Sequence, residues 1–171
     1  MKAFDHIIVG SGQATGTLLG KLIPTGATIA VVEGGSVGGS CVNYGCTPTK
    51  ALVASARAIH VAGRGDEFGF DPINVSVDYA RVRERMNRIR HSSRDGLTSW
   101  MESTDNVTLL RGWASFESAS TLRVNDELLK GEKIYINTGT RPMAPPIEGL
   151  HEVHGWIVSV CLTWKRYPSI C

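Results

Sequence analysis

Apolar residues recur along this chain with two different periods. HIIVG (residues 6–10) is a short apolar run that stops on glycine, and ATIAVVE (residues 27–33) is a β-branched run that stops on an acid; both read as strands. GQATGTLLGKLI between them is suited to a helix, so the chain opens on a β-α-β unit. Residues 51–63 and 78–102 read as two further helices. In the second, Val82, Met86, Ile89 and Leu97 follow at spacings of four, three and eight, an apolar stripe that leaves the arginines of RVRERMNRIRHSSR on the opposite, solvated face. TLRVND and EKIYINTGTRP are alternating, β-rich runs suited to an antiparallel excursion. The expected class is α/β: a parallel sheet with helices and a small antiparallel β excursion.

The turn after the first strand carries Gly10 and Gly12, followed by Thr15 and Gly16. The fingerprint G-x-G-x-x-G uses one glycine for the turn, one so that a pyrophosphate can approach the backbone, and one to bring helix against strand. Thr15 stands where the third glycine belongs, and Gly16 is expected to relieve the next contact. Glu33 ends the second strand 23 residues after Gly10, where a carboxylate accepts hydrogen bonds from ribose hydroxyls. Strand, G-x-G, helix, strand and acid in that order predict a Rossmann-like dinucleotide site. Gly10, Ser11, Gly12, Gln13 and Ala14 would surround the diphosphate at the helix N-terminus, where unpaired N–H groups and the helix dipole favour an anion.

With 171 residues, 42% of them hydrophobic and 20% charged, the chain can bury one real core. A net charge of +2 and a pI near 8.4 are too mild for a nucleic-acid or anionic-lipid partner. MKAFDHIIVGSG is too short in apolar residues for a signal or membrane segment. The expected location is cytoplasmic, where a cysteine pair is more often catalytic or metal-binding than a staple.

Directly after Glu33 comes GGSVGGSCVNYGCTPTK, with Cys41 and Cys46 five positions apart. A buried pair without a role, half of a metal site and a redox disulfide all remain open on the spacing itself. Gly38, Gly39, Cys41, Asn43, Gly45, Cys46, Pro48, Thr49 and Lys50 match the pattern G-G-x-C-x-N-x-G-C-x-P-[ST]-K. The stretch therefore resembles the class I pyridine nucleotide-disulfide oxidoreductases, the flavoprotein family of dihydrolipoamide dehydrogenase, glutathione reductase and mercuric reductase. The resemblance implies FAD as cofactor, with Cys46 exchanging electrons with the flavin and Cys41 as the interchange thiol toward a small-molecule redox substrate. Four intervening residues would let a turn of helix bring the sulfurs to bonding distance. A helix beginning near Cys46 favours the thiolate that exchange requires. By the same resemblance Gly39 and Ser40 touch the cofactor, Lys50 lies near the flavin ring, and a backbone group near Ala114 in NVTLLRGWASFES contacts the adenine. Thr138, Gly139, Arg141 and Pro142 match a T-G-x-R-P stretch that returns beside the cofactor. A zinc site would need Cys161 and Cys171 as well, which nine unpatterned residues separate, so no metal is expected.

The resemblance covers residues 4 to about 154. No second glycine fingerprint follows for NAD(P)H, and none of His6, His60, His91, His151 and His154 stands in the His-Pro-Thr context of the family's interface domain, through which the full-length members form homodimers. Residues 1–154 are thus expected to be the N-terminal part of an FAD-binding domain, and residues 155–171 a tail outside the family pattern. A reading frame one base earlier at Trp164 and Lys165 permits Leu-Glu-Thr-Leu-Pro, so a frameshift near Gly155 and a truncated, inactive product are expected. The alternative is a non-catalytic FAD- or nucleotide-binding fragment.

Overall fold

A computed structural model of the chain describes residues 1–152. Cys161, Cys171, His154 and the tail in which a frameshift is expected lie outside the described residues. The strands are β1 (Lys2–Val9), β2 (Ile29–Glu33), β3 (Val107–Arg111), β4 (Ala114–Ser118), β5 (Thr121–Val124) and β6 (Glu127–Ile136). The helices are α1 (Gln13–Leu22), α2 (Gly39–Asn43), α3 (Cys46–Ala62) and α4 (Tyr79–Glu102). Two compact units divide the described residues: Met1–Asn43 with Ser93–Arg141, and Tyr44–Ser92 with 142–152.

The first unit is built on one sheet in the order β3-β2-β1-β6-β5-β4. β3, β2, β1 and β6 run parallel, and β5 and β4 continue antiparallel. The α/β class with a small antiparallel excursion is what the structure has. Burial explains why β1 reads as an unbroken apolar run: Ile8 packs with Leu19, Ile29, Val31, Met101 and Val107, whereas Ile7 packs with Ala30, Val32, Leu122, Val124 and Leu129. A strand covered on both faces shows no polar alternation. Each buried Ile, Leu, Val or Met side chain among them contributes about 1.5–3 kcal/mol by leaving water.

Two boundaries differ from the sequence expectation. β1 starts at Lys2, ahead of the apolar run, because β6 pairs with it from Lys2 onward and Lys2 Nζ meets Glu127 at 2.8 Å. The carboxylate of Asp5 fastens the same end of the strand, accepting from Thr28 N at 2.7 Å and Thr28 Oγ1 at 2.8 Å. These bonds hold the Asp5 carboxyl below its ordinary value, the backbone N–H of Thr28 most of all. The second difference is EKIYIN, which is no simple part of the antiparallel excursion. β6 is antiparallel to β5 over 127–130 and parallel to β1 over 129–136. Gly131 stands where the strand passes from one set of partners to the other, and a Cβ there would lie 2.9 Å from Ile7 Cδ1.

β3 and β4 are joined by Gly112 and Trp113 alone, yet they sit at opposite ends of the sheet order. The sheet must therefore roll back on itself. Leu122 and Val124 of β5 duly pack over Ile7, Ala30 and Val32, covering a face on which no helix of the described residues packs.

In the second unit α3 and the first part of α4 bury Ala51 and Met86, with Leu52 and Ile89 packed against them. The stripe read from the sequence is real: Met86 is buried, and Val82 and Ile89 are half-buried. The opposite face is not wholly solvated, since Arg85 Nη1 donates to Ala51 O at 2.9 Å. Farther along α4, Leu97 joins the core of the first unit. Pro48 is tolerated in α3 because it occupies the first turn, where its missing N–H has no intrahelical partner to lose. Among the described residues no helix is long and apolar enough to cross a membrane.

Ile8 is 0% exposed and Ile136 is 68% exposed, so truncating each separates burial from side-chain identity. Ile8→Ala should lower the unfolding free energy by about 2–5 kcal/mol in urea titrations, and Ile136→Ala by about 0.5 kcal/mol or less.

Candidate dinucleotide site and cysteine pair

The carboxyl ends of the four parallel strands share one edge of the sheet, and the loops that leave them carry nearly every residue singled out in the first unit. In an open α/β sheet this edge is where ligands bind. After β1 come Gly10, Ser11 and Gly12; after β2, Gly34 to Gly38; after β3, Gly112 and Trp113; after β6, Asn137, Thr138 and Gly139.

Gly10 is required by the chain itself. Its φ is +98°, and a Cβ would fall 2.2 Å from the carbonyl oxygen of Asn137. Gly12 and Gly39 face each other: a Cβ on Gly39, whose φ is +63°, would lie 2.9 Å from Gly12 Cα. Gly12 caps α1 without any side-chain hydrogen bond, and no acid stands in the first turn. No side chain caps the first turn of α1, and Gly10, Gly12 and Gly39 leave the backbone beside it without Cβ atoms. These features fit a diphosphate.

Thr15 is no misfit at the third fingerprint position. It is 1% exposed, its Oγ1 donates to Gly10 O at 2.7 Å, and it accepts from Asn137 Nδ2 at 2.9 Å. One hydroxyl ties the turn after β1, the first turn of α1 and the end of β6 together. The expectation for Gly16 is corrected, because a Cβ there would meet nothing within 4 Å and no contact needs relief. Asn137 escaped the sequence reading. Its signal was a polar residue directly after the apolar run of β6, matched to a hydroxyl in place of glycine.

Glu33 has a structural task beside the one expected of it. Its Oε2 accepts from Ser11 N at 2.9 Å and Ser11 Oγ at 2.5 Å, and its Oε1 accepts from Gly35 N at 2.7 Å. Ser11, 2% exposed, in turn accepts from Gly38 N at 3.1 Å. A carboxylate has about four acceptor positions, and these bonds use three, leaving capacity on Oε1 for one ribose hydroxyl.

The glycine-rich loop is closed by Asn43, buried on α2, whose Nδ2 donates to Val37 O and Gly39 O, each at 2.9 Å. Asn43 matched the sequence pattern, but its work as a loop clamp was not read from it. Cys41 lies on α2, half-buried, in the first unit; Cys46 is exposed and opens α3 in the second. Instead of one helical turn from Cys41 to Cys46, α2 ends at Asn43, Tyr44 and Gly45 follow, and α3 begins at Cys46. α3 does begin at Cys46, with Gly45 offering no side-chain cap and no acid in the first turn. Lys50 is exposed on α3. Ala114 opens β4 and packs on the core, Gln13, Ala14 and Ser40 are exposed beside the glycines, and Thr138 and Gly139 are exposed just past β6.

A family model described as pyridine nucleotide-disulphide oxidoreductase matches residues 4–166. A mercuric reductase of Lysinibacillus sphaericus is 32% identical over 97% of this chain and 30% of its own length. A dihydrolipoyl dehydrogenase of Acholeplasma laidlawii is 31% identical over 98% of this chain and 51% of its own. The HOCl-induced flavoprotein disulfide reductase RclA from Escherichia coli superposes with a TM-score of 0.75 at 29% identity, over 95% of this chain and 34% of that one. The chain thus spans between about a third and a half of these relatives.

The Thr15 bridge makes a prediction about the fingerprint. Thr15→Val keeps the shape and removes the hydroxyl, so it should cost about 1–3 kcal/mol in urea unfolding, while Thr15→Ser should stay within about 1 kcal/mol of the parent.

Proposed function

Because the chain belongs to the pyridine nucleotide-disulphide oxidoreductase family, we propose that it is the part of a flavoprotein disulfide oxidoreductase that holds the ADP half of FAD and carries a redox-active cysteine pair, Cys41 and Cys46. The observation that carries this reading is the strand-end edge itself: a bare glycine cradle at an uncapped helix N-terminus, next to a carboxylate with one acceptor position left.

Each residue has a task in it. Gly10 to Ala14 bind the diphosphate through backbone N–H groups at α1, Glu33 accepts a ribose hydroxyl, Gly39 and Ser40 close over the diphosphate, and the backbone at Ala114 meets the adenine. Thr138 and Gly139 return beside the cofactor, and Lys50 places a fixed positive charge toward the flavin. When bound, the flavin supplies two-electron chemistry between a nicotinamide cofactor and the cysteine pair. Two electrons and two protons open the Cys41–Cys46 disulfide to two thiols. Cys46 is the sulfur that faces the flavin, and Cys41 passes the electrons to a small-molecule substrate: a disulfide, a lipoamide or mercuric ion. The intact enzyme would be a cytoplasmic homodimer using NAD(P)H. The glycine fingerprint after β1 is the one that this reading assigns to the ADP half of FAD.

The purified chain should bind ADP, bind FAD weakly, and oxidise no NADPH in the presence of a disulfide substrate. Glu33→Gln should weaken ADP about tenfold or more, since one carboxylate oxygen becomes a donor facing donors. Stoichiometric FAD with steady turnover would refute the partial-site reading. Thiol titration tests the pair separately: mild reductant should release two thiols, and Cys41→Ser should abolish that release. A titre that reductant leaves unchanged would remove the redox role.

A further inference from the structure

The two-residue link between β3 and β4 emerges at the same edge as the glycine loops, and it is rigidly held. Gly112 N donates to Glu33 O at 3.0 Å, carrying the β2–β3 ladder one step beyond the Glu33–Arg111 pair. Gly112 has a φ of +151°, and a Cβ on it would fall 2.6 Å from Asn125 Oδ1. Asn125, at the turn between β5 and β6, donates through Nδ2 to Arg111 O at 2.9 Å. The link is therefore braced from both sides, and the residue that follows Gly112 has its starting direction fixed.

That residue is Trp113. Its indole lies against Gly34: a Cβ there would come within 2.6 Å of Cδ2 and 2.9 Å of Cε2 and Cε3, so only glycine lets the ring sit where it does. Gly34 is the next residue after Glu33. Yet Trp113 is 74% exposed and belongs to neither core cluster of the first unit. An indole seated on bare backbone with most of its surface in water adds little to stability and offers an aromatic platform.

We propose that the Trp113 indole is the wall on which the adenine ring of the bound nucleotide packs, so that this chain selects an aromatic base through a side chain as well as through backbone at Ala114. This inference rests on the nucleotide-binding reading of the strand-end edge. A ribose whose hydroxyl reaches Glu33 puts its base one sugar ring away, and Trp113 stands against Gly34, the residue next to Glu33. The partner chemistry is a purine nucleoside diphosphate group, recognised by π-stacking.

The test uses the full 171-residue chain and two probes, ADP and the base-free ribose 5-diphosphate, titrated calorimetrically. Trp113→Ala should weaken ADP about five- to hundredfold and leave ribose 5-diphosphate unchanged, while Trp113→Phe should keep most of the ADP affinity. ADP should also quench indole fluorescence in the parent chain and not in Trp113→Phe, a readout independent of whether the alanine variant folds. Equal loss for both probes would assign Trp113 to loop structure, and no loss for ADP would overturn the wall; in either case the nucleotide site stands. A parent chain that binds neither probe would overturn the site and the wall together.

Discussion

A single carboxylate at the end of β2 holds three segments in place. Glu33 takes the N–H and hydroxyl of Ser11 on one oxygen and the N–H of Gly35 on the other, and Ser11 passes the connection on to Gly38. The segments so joined are the turn before α1, the exit from β2 and the glycine-rich loop ahead of α2. Charge-assisted bonds of this kind are about twice as strong as neutral ones. Without them, two glycine-bearing loops with large conformational entropy would have no fixed relation to the helix end they flank. The preorganisation of the edge therefore comes first from an acid that a simple reading reserves for ligand.

A second layer of constraint is steric. The backbone of Gly10 lies so close to Asn137 that no side chain fits, and Asn137 answers by bonding the hydroxyl of Thr15. Here the protein has substituted a directed hydrogen bond for a close apolar approach at the third fingerprint position. The result is that the end of β6 is fixed to the start of α1 by polar contacts as well as by the ladder from Asn137 N to Val9 O at 2.8 Å.

The elements that the sequence made legible are those whose physics is local. HIIV and IAVV declared themselves by unbroken apolar runs, α4 by the spacing of Val82, Met86 and Ile89, and the glycine turn by its order relative to Glu33. What stayed hidden depends on distant partners. The polar start of β1 is a strand only because Leu129 and its neighbours pair with it, and the double pairing of β6 is decided at Gly131 by the packing of Ile7. Asn43 and Asn137 are ordinary amides until the carbonyls and hydroxyl they bond are brought beside them. Trp113 lay in a segment read only for its backbone near Ala114, and its seat on Gly34 is a tertiary contact between residues 79 positions apart.

The double edge of β1 has a consequence for the order in which the chain can complete itself. One partner, β2, lies within residues 29–33, but the other, β6, lies at 127–136. During synthesis β1, with its buried Ile7 and Ile8, can be zipped along one side almost at once, while its other side waits for about a hundred further residues. Such an unpaired, hydrophobic margin is a template for pairing with a neighbouring nascent chain. The short link at Gly112 and Trp113 works against that hazard, because it obliges β4 and β5 to turn back as soon as they form and delivers β6 to the waiting side within a few tens of residues.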